Sequence, residues 1–261
     1  MAATVAWIAY TPVKGLRLQH RHETQITEDG IPGDRAFFIV DERGAMVSAT
    51  RLGPLVSVLA DHDADARTLA LRFPDGAEVA GGVELGEREA VRFGGLNMSA
   101  SPVLGEFSGA LSEHCGNGRL RLFASPPERG GLDRGRIGAV TLLSVASLER
   151  LREQAGETEP VDPRRFRMTF GVEGLEPHEE DTWLAREVEV GDAVVQVAGN
   201  VGRCALTTRQ PDTGVVDFKT LHHLRAYRGE VATTEPLPFG VHARVLQGGR
   251  VRVGDPVGLA S

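Results

Sequence analysis

A chain of 261 residues, 41% hydrophobic and 25% charged, has the composition of an ordinary globular protein and room for one large domain or two modest ones. Its net charge of −7 argues against a nucleic-acid binder, whose footprint would be basic, although a local basic cluster can still hold a small anion. Two cysteines cannot make a disulfide scaffold and suggest a reducing, cytoplasmic setting; no apolar run is long enough to span a membrane, and no positive charges open the chain as a signal peptide would.

The first ten residues, closing on Trp7-Ile8-Ala9-Tyr10, read as an opening strand. Thirty-two glycines spread along the chain suit many short strands joined by tight turns. In the run 68–73, Leu69, Leu71 and Phe73 share one face, Pro74-Asp75-Gly76 signals a turn, and a return strand begins at Glu78. The same two-residue period recurs in 119–123. Residues 126–138, rich in Gly, Arg and Pro, read as a mobile connection. The clearest helix is 144–154, with Ser144 placed to cap it, Leu148 and Leu151 on one face, and Gly156 to end it. A polar loop follows over 154–163. Alternation returns at 187–190 and, past a turn at Gly191-Asp192, at 194–197. A shorter helix is expected through Leu221, Leu224 and Arg225 toward Tyr227, and a last strand over 250–253 runs into Gly254-Asp255-Pro256. The expected organisation is an N-terminal β half, 1–115, and a second half, 116–261, with a soft boundary between 100 and 130.

Cys204 follows Arg203 and precedes an apolar-to-hydroxyl run that includes Thr207 and ends in the turn signal Pro211-Asp212-Thr213-Gly214. A neighbouring cation stabilises a thiolate, the form that acts as nucleophile or metal ligand, whereas a structural cysteine is simply a small buried hydrophobe. Local context leaves both readings open. Cys115 has His114 beside it but no partner at metal-ligand spacing, so it reads as a structural thiol. His222 and His223 are adjacent, point to different faces of a helix and cannot form an i, i+4 metal pair.

Taken together, a series of motifs resembles the MOSC superfamily, in the branch that carries an N-terminal β-barrel domain and includes the amidoxime-reducing components. They are Tyr10-Thr11-Pro12-Val13-Lys14-Gly15, Gly33-Asp34-Arg35-Ala36-Phe37, Asp162-Pro163-Arg164-Arg165-Phe166-Arg167, Glu179-Glu180-Asp181-Thr182-Trp183, Arg203-Cys204 with Pro211-Asp212-Thr213-Gly214, and the closing Arg252-Val253-Gly254-Asp255-Pro256-Val257. Each is weak alone; their order along nearly the whole chain is specific.

The resemblance implies an α+β, mostly β protein: an N-terminal β-barrel-like domain packed on a C-terminal MOSC β-barrel with a few helices. It implies a molybdenum–molybdopterin cofactor, with Cys204 as metal ligand and catalytic residue, since a soft thiolate suits a metal already held by dithiolene sulfurs. Lys14, Arg35, Arg167 and Arg203 match its basic anchors, and Ser144 and Thr207 its hydroxyl positions; the free amides at the start of the 144–154 helix could hold a phosphate. The implied activity is two-electron reduction of N-oxygenated or similar small substrates. With no iron–sulfur cysteine set in the sequence, electrons are expected from a separate ferredoxin-, flavodoxin- or cytochrome-type protein and its reductase. The alternative is a cofactor carrier, or a sulfur relay through a persulfide on Cys204, without turnover of an organic substrate. Three departures bear on that choice: Gly15 and Gly202 stand where hydroxyl residues are common, and Met168-Thr169 replaces Pro-Asn. The backbone amides of Gly15 and Gly202 could substitute for the lost side chains.

Overall fold

A computed structural model describes residues 2–116, 118–126, 133–233 and 235–260. Its first strands are β1 (Thr4–Tyr10), β2 (Gln19–Arg21), β3 (Glu23–Ile26), β4 (Phe37–Val40), β5 (Leu59–Asp63), β6 (Thr68–Arg72), β7 (Glu78–Gly82), β8 (Glu89–Phe93) and β9 (Leu96–Pro102). Helix α1 (Phe107–His114) and β10 (Arg121–Ala124) follow, then β11 (Val140–Ser144), α2 (Val145–Ala155) and β12 (Phe170–Glu173). The chain closes with β13 (Glu187–Val190), β14 (Ala193–Gly202), α3 (Thr220–Arg228), β15 (Pro238–Gln247), β16 (Gly249–Arg252) and β17 (Val257–Leu259). The fold is thus α+β and mostly β, as expected.

Alternation decides which face each strand buries. Leu69 and Leu71 of β6 are buried while Thr68 and Arg72 are exposed, and Val188 and Val190 of β13 face inward between Glu187 and Glu189. In β4 the continuous run Phe-Phe-Ile-Val is buried throughout, because that strand is covered on both faces. Helix α2 ends at Gly156, whose φ of 69° is the left-handed conformation glycine adopts at low cost. Helix α1 is absent from the sequence expectations: only Phe107 and Leu111 mark its buried face, and Ser108 and Gly109 are poor helix formers. Residues 127–132 of the expected connection 126–138 lie outside the described residues; its end, Gly135–Gly138, is a 3₁₀ turn.

The sheets interlock the two halves of the chain. The largest has eight strands in the order β17-β13-β14-β15-β11-β12-β1-β2, so the opening strand is paired with the second half. Pairing of β1 with β12 needs Gly171, where an added Cβ would sit 2.1 Å from the Trp7 ring. In return β10, beyond residue 116, pairs with β4 in the sheet β4-β10-β9-β8, and β16 pairs with β3. A third small sheet, β5-β6-β7, completes the first half. One apolar core fills the large sheet around Ile8, Phe170 and Val241, and another fills the first half around Phe37, Leu55 and Leu122. A third lies under α2 and α3, around Leu151, Leu224 and Phe239. Among the described residues no helix is long and apolar enough to cross a membrane.

Candidate functional site

A cavity of about 420 Å³ lies where the two halves meet, within the size range of small-molecule sites. The loop after β1 brings in Lys14 and Gly15, and the turn before β4 brings in Asp34 and Arg35. The far wall comes from Phe166 to Thr169, ahead of β12, and from Gly202, Arg203, Cys204 and Thr207 at and after the end of β14. Of the seven residues singled out in sequence, Lys14, Arg35, Arg167, Arg203, Cys204 and Thr207 all line this cavity.

Backbone geometry turns the two halves toward each other. Arg35 (φ 50°) and Arg167 (φ 55°) are both left-handed, a conformation rare outside glycine and concentrated at functional sites. Arg35 Nη2 donates to the Arg167 carbonyl at 3.1 Å, and Arg167 Nη2 donates to the Leu16 carbonyl at 2.9 Å. Nearby, Arg164 forks onto Asp212 with two 2.8 Å bonds, and Asp212 also meets Arg17 of the first half at 3.0 Å. Asp212 is therefore a clamp between the halves as well as a turn residue. Gly214 packs against Gly53 so closely that a Cβ there would lie 2.1 Å from the Gly53 oxygen.

Cys204 is exposed and unpaired, at the start of the short 3₁₀ turn Ala205–Thr208, with Thr50 Oγ1 of the first half 3.9 Å from its sulfur. Thr207 is buried, and its amide and hydroxyl both donate to the Cys204 carbonyl, which fixes the loop. Arg203 does not offer a free fork. Its Nε and Nη2 donate to the Phe239 carbonyl, Nη1 to the Phe166 carbonyl, and Nη2 also meets Met168 Sδ at 2.9 Å. Burial and the nearby Arg134 pull Arg203 down to about 9, against an electrostatic pull from Cys204 that favours its charge.

Charge is unevenly neutralised around the cavity. Lys14 and Arg35 share Asp133, and Arg35 also pairs with Asp34. Burial lowers Lys14 although Asp133 opposes it; burial also works against Arg35, but Asp34 and Asp133 more than offset it. Arg167 and Arg203, by contrast, have no carboxylate partner among the described residues, and burial together with Arg35 draws Arg167 down to about 10.

Ser144 lies elsewhere. It is fully buried and absent from the cavity wall; its hydroxyl donates to the Glu176 carbonyl and its amide to Glu180 Oε1. The expectation of a phosphate at this helix start is corrected, because the 3₁₀ turn Glu179–Trp183 covers it with a carboxylate. Nor does Ser144 cap α2 with its side chain. Asp181, from the Glu179-Glu180-Asp181-Thr182-Trp183 motif, lies away from the cavity, pairing with Arg228 and accepting from Asn200 Nδ2 at 2.7 Å. The Gly202 amide is not free either: it donates to Glu235 Oε2 at 2.8 Å, and a Cβ there would meet the Glu235 Cβ at 2.7 Å. At Gly15, φ of 93° would strain any other residue. The Thr169 hydroxyl bonds the Thr141 hydroxyl at 3.1 Å.

Sequence reasoning missed Asp133 and Arg134, which lie beside residues outside the described set and carry no motif. Arg134 lines the cavity and forms a two-pronged pair with Glu235. Cys115 packs against the first-half core, and burial pushes its thiol up to about 11, the inert state expected of a structural cysteine.

Among the described residues no group of three or more His, Cys, Asp or Glu side chains could hold a metal ion. A metal here would need most of its ligands from elsewhere, with Cys204 the soft donor in reach. An exposed thiol and incompletely neutralised cations on one cavity wall fit a group that carries both a thiophilic metal and an anion.

The family model for the MOSC domain matches residues 130–258, and that for the MOSC N-terminal beta barrel domain matches residues 2–108. Mitochondrial amidoxime-reducing component 1 of Mus musculus is 27% identical over 98% of this chain and 82% of its own length. Mitochondrial amidoxime reducing component 2 of Rattus norvegicus is 38% identical over 45% of this chain, and that match spans 36% of the rat protein. The YUAD protein of Bacillus subtilis covers 98% of this chain and 94% of its own, at 11% identity and a TM-score of 0.48.

Proposed function

This chain belongs to the MOSC family and carries the family's N-terminal β-barrel domain, and from that premise we propose that it is a molybdenum-cofactor-binding oxidoreductase. Its substrates would be small N-oxygenated compounds, each taking two electrons and two protons to lose oxygen as water, with electrons from a separate redox protein. The observation that carries this reading is the single cavity that gathers the exposed Cys204 thiol with Lys14, Arg35 and Arg167 from both halves. When bound, the cofactor would supply the oxygen-atom and electron chemistry; the chain's own residues hold and orient it. Cys204 would ligate the metal. Lys14, Arg35 and Arg167 would bind its anionic tail, the arginines as planar forks and the lysine as a point charge. Arg203, with its nitrogens engaged, would act through its field on the thiolate and not as a direct clamp. The Thr207 bonds to the Cys204 carbonyl would keep the sulfur aimed into the cavity. Two unpaired cysteines suit a reducing compartment such as the cytoplasm.

Molybdenum and pterin analysis of protein purified from a molybdopterin-producing host tests the reading: near-stoichiometric amounts of both are expected, and absence of both removes it. One observation favours the carrier reading. The Gly202 amide and the Thr169 hydroxyl, which could have helped orient a substrate, are spent on Glu235 and Thr141. Benzamidoxime with an artificial electron donor separates the two, since cofactor-loaded protein that fails to turn over is a carrier.

A further inference from the structure

We propose that Asp133 is the resident occupant of an anion-binding corner, and that a phosphomonoester group of the ligand takes its place on binding. The identity of that ligand rests on the cofactor reading; the corner itself does not. The Asp133 carboxylate pairs with Lys14 Nζ and lies 3.2 Å from Arg35 Nε, and Arg167 lines the same cavity. Asp34, the other carboxylate here, is anchored from behind by the Thr11 amide at 2.8 Å as well as by Arg35. Asp133 has no such anchor among the described residues. Among the described residues its carboxylate bonds only to the cations, and its side chain remains 36% exposed, so it can turn out to solvent without unpacking a core. Burial opposes its charge, yet Lys14 and Arg35 prevail and hold it down to about 2, as they would hold any anion placed there.

Charge counting gives the selectivity. Three cations face Asp34 and Asp133, which leaves one positive charge uncompensated. Once Asp133 leaves, two remain, the charge that a phosphomonoester dianion brings. A monoanion regains no more than Asp133 supplied, so the exchange favours a dianion, and discrimination arises from what must be displaced as much as from what is gained. Asp133 is on this account a specificity-determining residue of the site.

Inorganic phosphate, titrated calorimetrically at pH 8 into cofactor-free full-length protein, is the probe. Asp133→Asn, which keeps the side-chain shape, is expected to bind phosphate about tenfold more tightly than wild type, and Asp133→Asn/Lys14→Met to lose that gain. Asp133→Ser makes the same comparison if the asparagine variant folds poorly. Equal or weaker phosphate binding in the Asp133 variants overturns the proposal. Pterin content of wild type from a molybdopterin-producing host keeps the two readings apart. Tighter phosphate binding by the variant with no pterin in wild type upholds the corner and sinks the cofactor. Bound pterin with unchanged phosphate affinity upholds the cofactor and sinks the exchange.

Discussion

Two regions of this protein hold titratable groups far from their ordinary pKa values, and Phe239 joins them. Its carbonyl accepts from Arg203 at the cavity wall, while its ring meets His178 edge-on at 5.5 Å beneath α2. On the cavity side Arg167 and Arg203 are held low by burial, yet they border 420 Å³ of space that a ligand can enter. On the other side burial draws His178 down to about 3 and pushes Glu180 up to about 7, and neither lines that cavity. Both ring nitrogens of His178, Glu180 Oε2 and the Tyr227 hydroxyl are buried without a hydrogen-bond partner among the described residues. A displaced pKa marks a functional site only when something can reach it. Beneath α2 the same displacement is a matter of stability.

The contrast predicts which property each variant changes. Replacing the exposed Cys204 with alanine should lower molybdenum content more than tenfold while shifting stability by no more than about 0.5 kcal/mol, as metal analysis beside a thermal melt will check. Retained stoichiometric molybdenum would disprove ligation by this thiol.

Glu180→Gln should do the reverse, leaving molybdenum content unchanged and altering the pH profile of stability. The folded pKa of Glu180, about 7, lies above its ordinary 4.5, so its stabilisation is complete below pH 4.5 and is lost as pH rises through 7. The stability difference between wild type and Glu180→Gln should therefore decline by on the order of 3 kcal/mol across that window, read from denaturant melts at several pH values. His178, displaced downward, works in the opposite direction, losing its stabilisation as pH falls from 6.5 toward 3; the pairwise difference isolates Glu180.

Arg167→Gln should weaken phosphate binding about tenfold while the cofactor-free protein holds or gains thermal stability, because burial already penalises that charge. A loss of stability equal to the loss of binding would erase the distinction between the regions. The smallest effect is expected from Ser144→Ala, which should cost about 1 kcal/mol through its hydrogen bond to Glu176 and leave molybdenum content untouched.

Strands were legible in the sequence wherever one face is buried, as in β6 and β13, because their two-residue period needs no knowledge of the partner. The motif order was likewise legible, and with it the family; of the seven site residues named, six line the cavity. Ser144 was misplaced because a hydroxyl at a helix start looks the same in sequence whether it faces a ligand or the Glu176 carbonyl. Asp133 was invisible, since its role depends on two cations 119 and 98 residues away along the chain. Composition and periodicity act between neighbours in sequence, and they determined a β-rich chain with a suspect thiol. Burial, exposure and the balance of charge arise between residues that meet only when β1 enters the second half's sheet and β10 the first's. Tertiary structure alone therefore decided which cations share a carboxylate, which thiol is reachable, and which acid is buried away from the cavity.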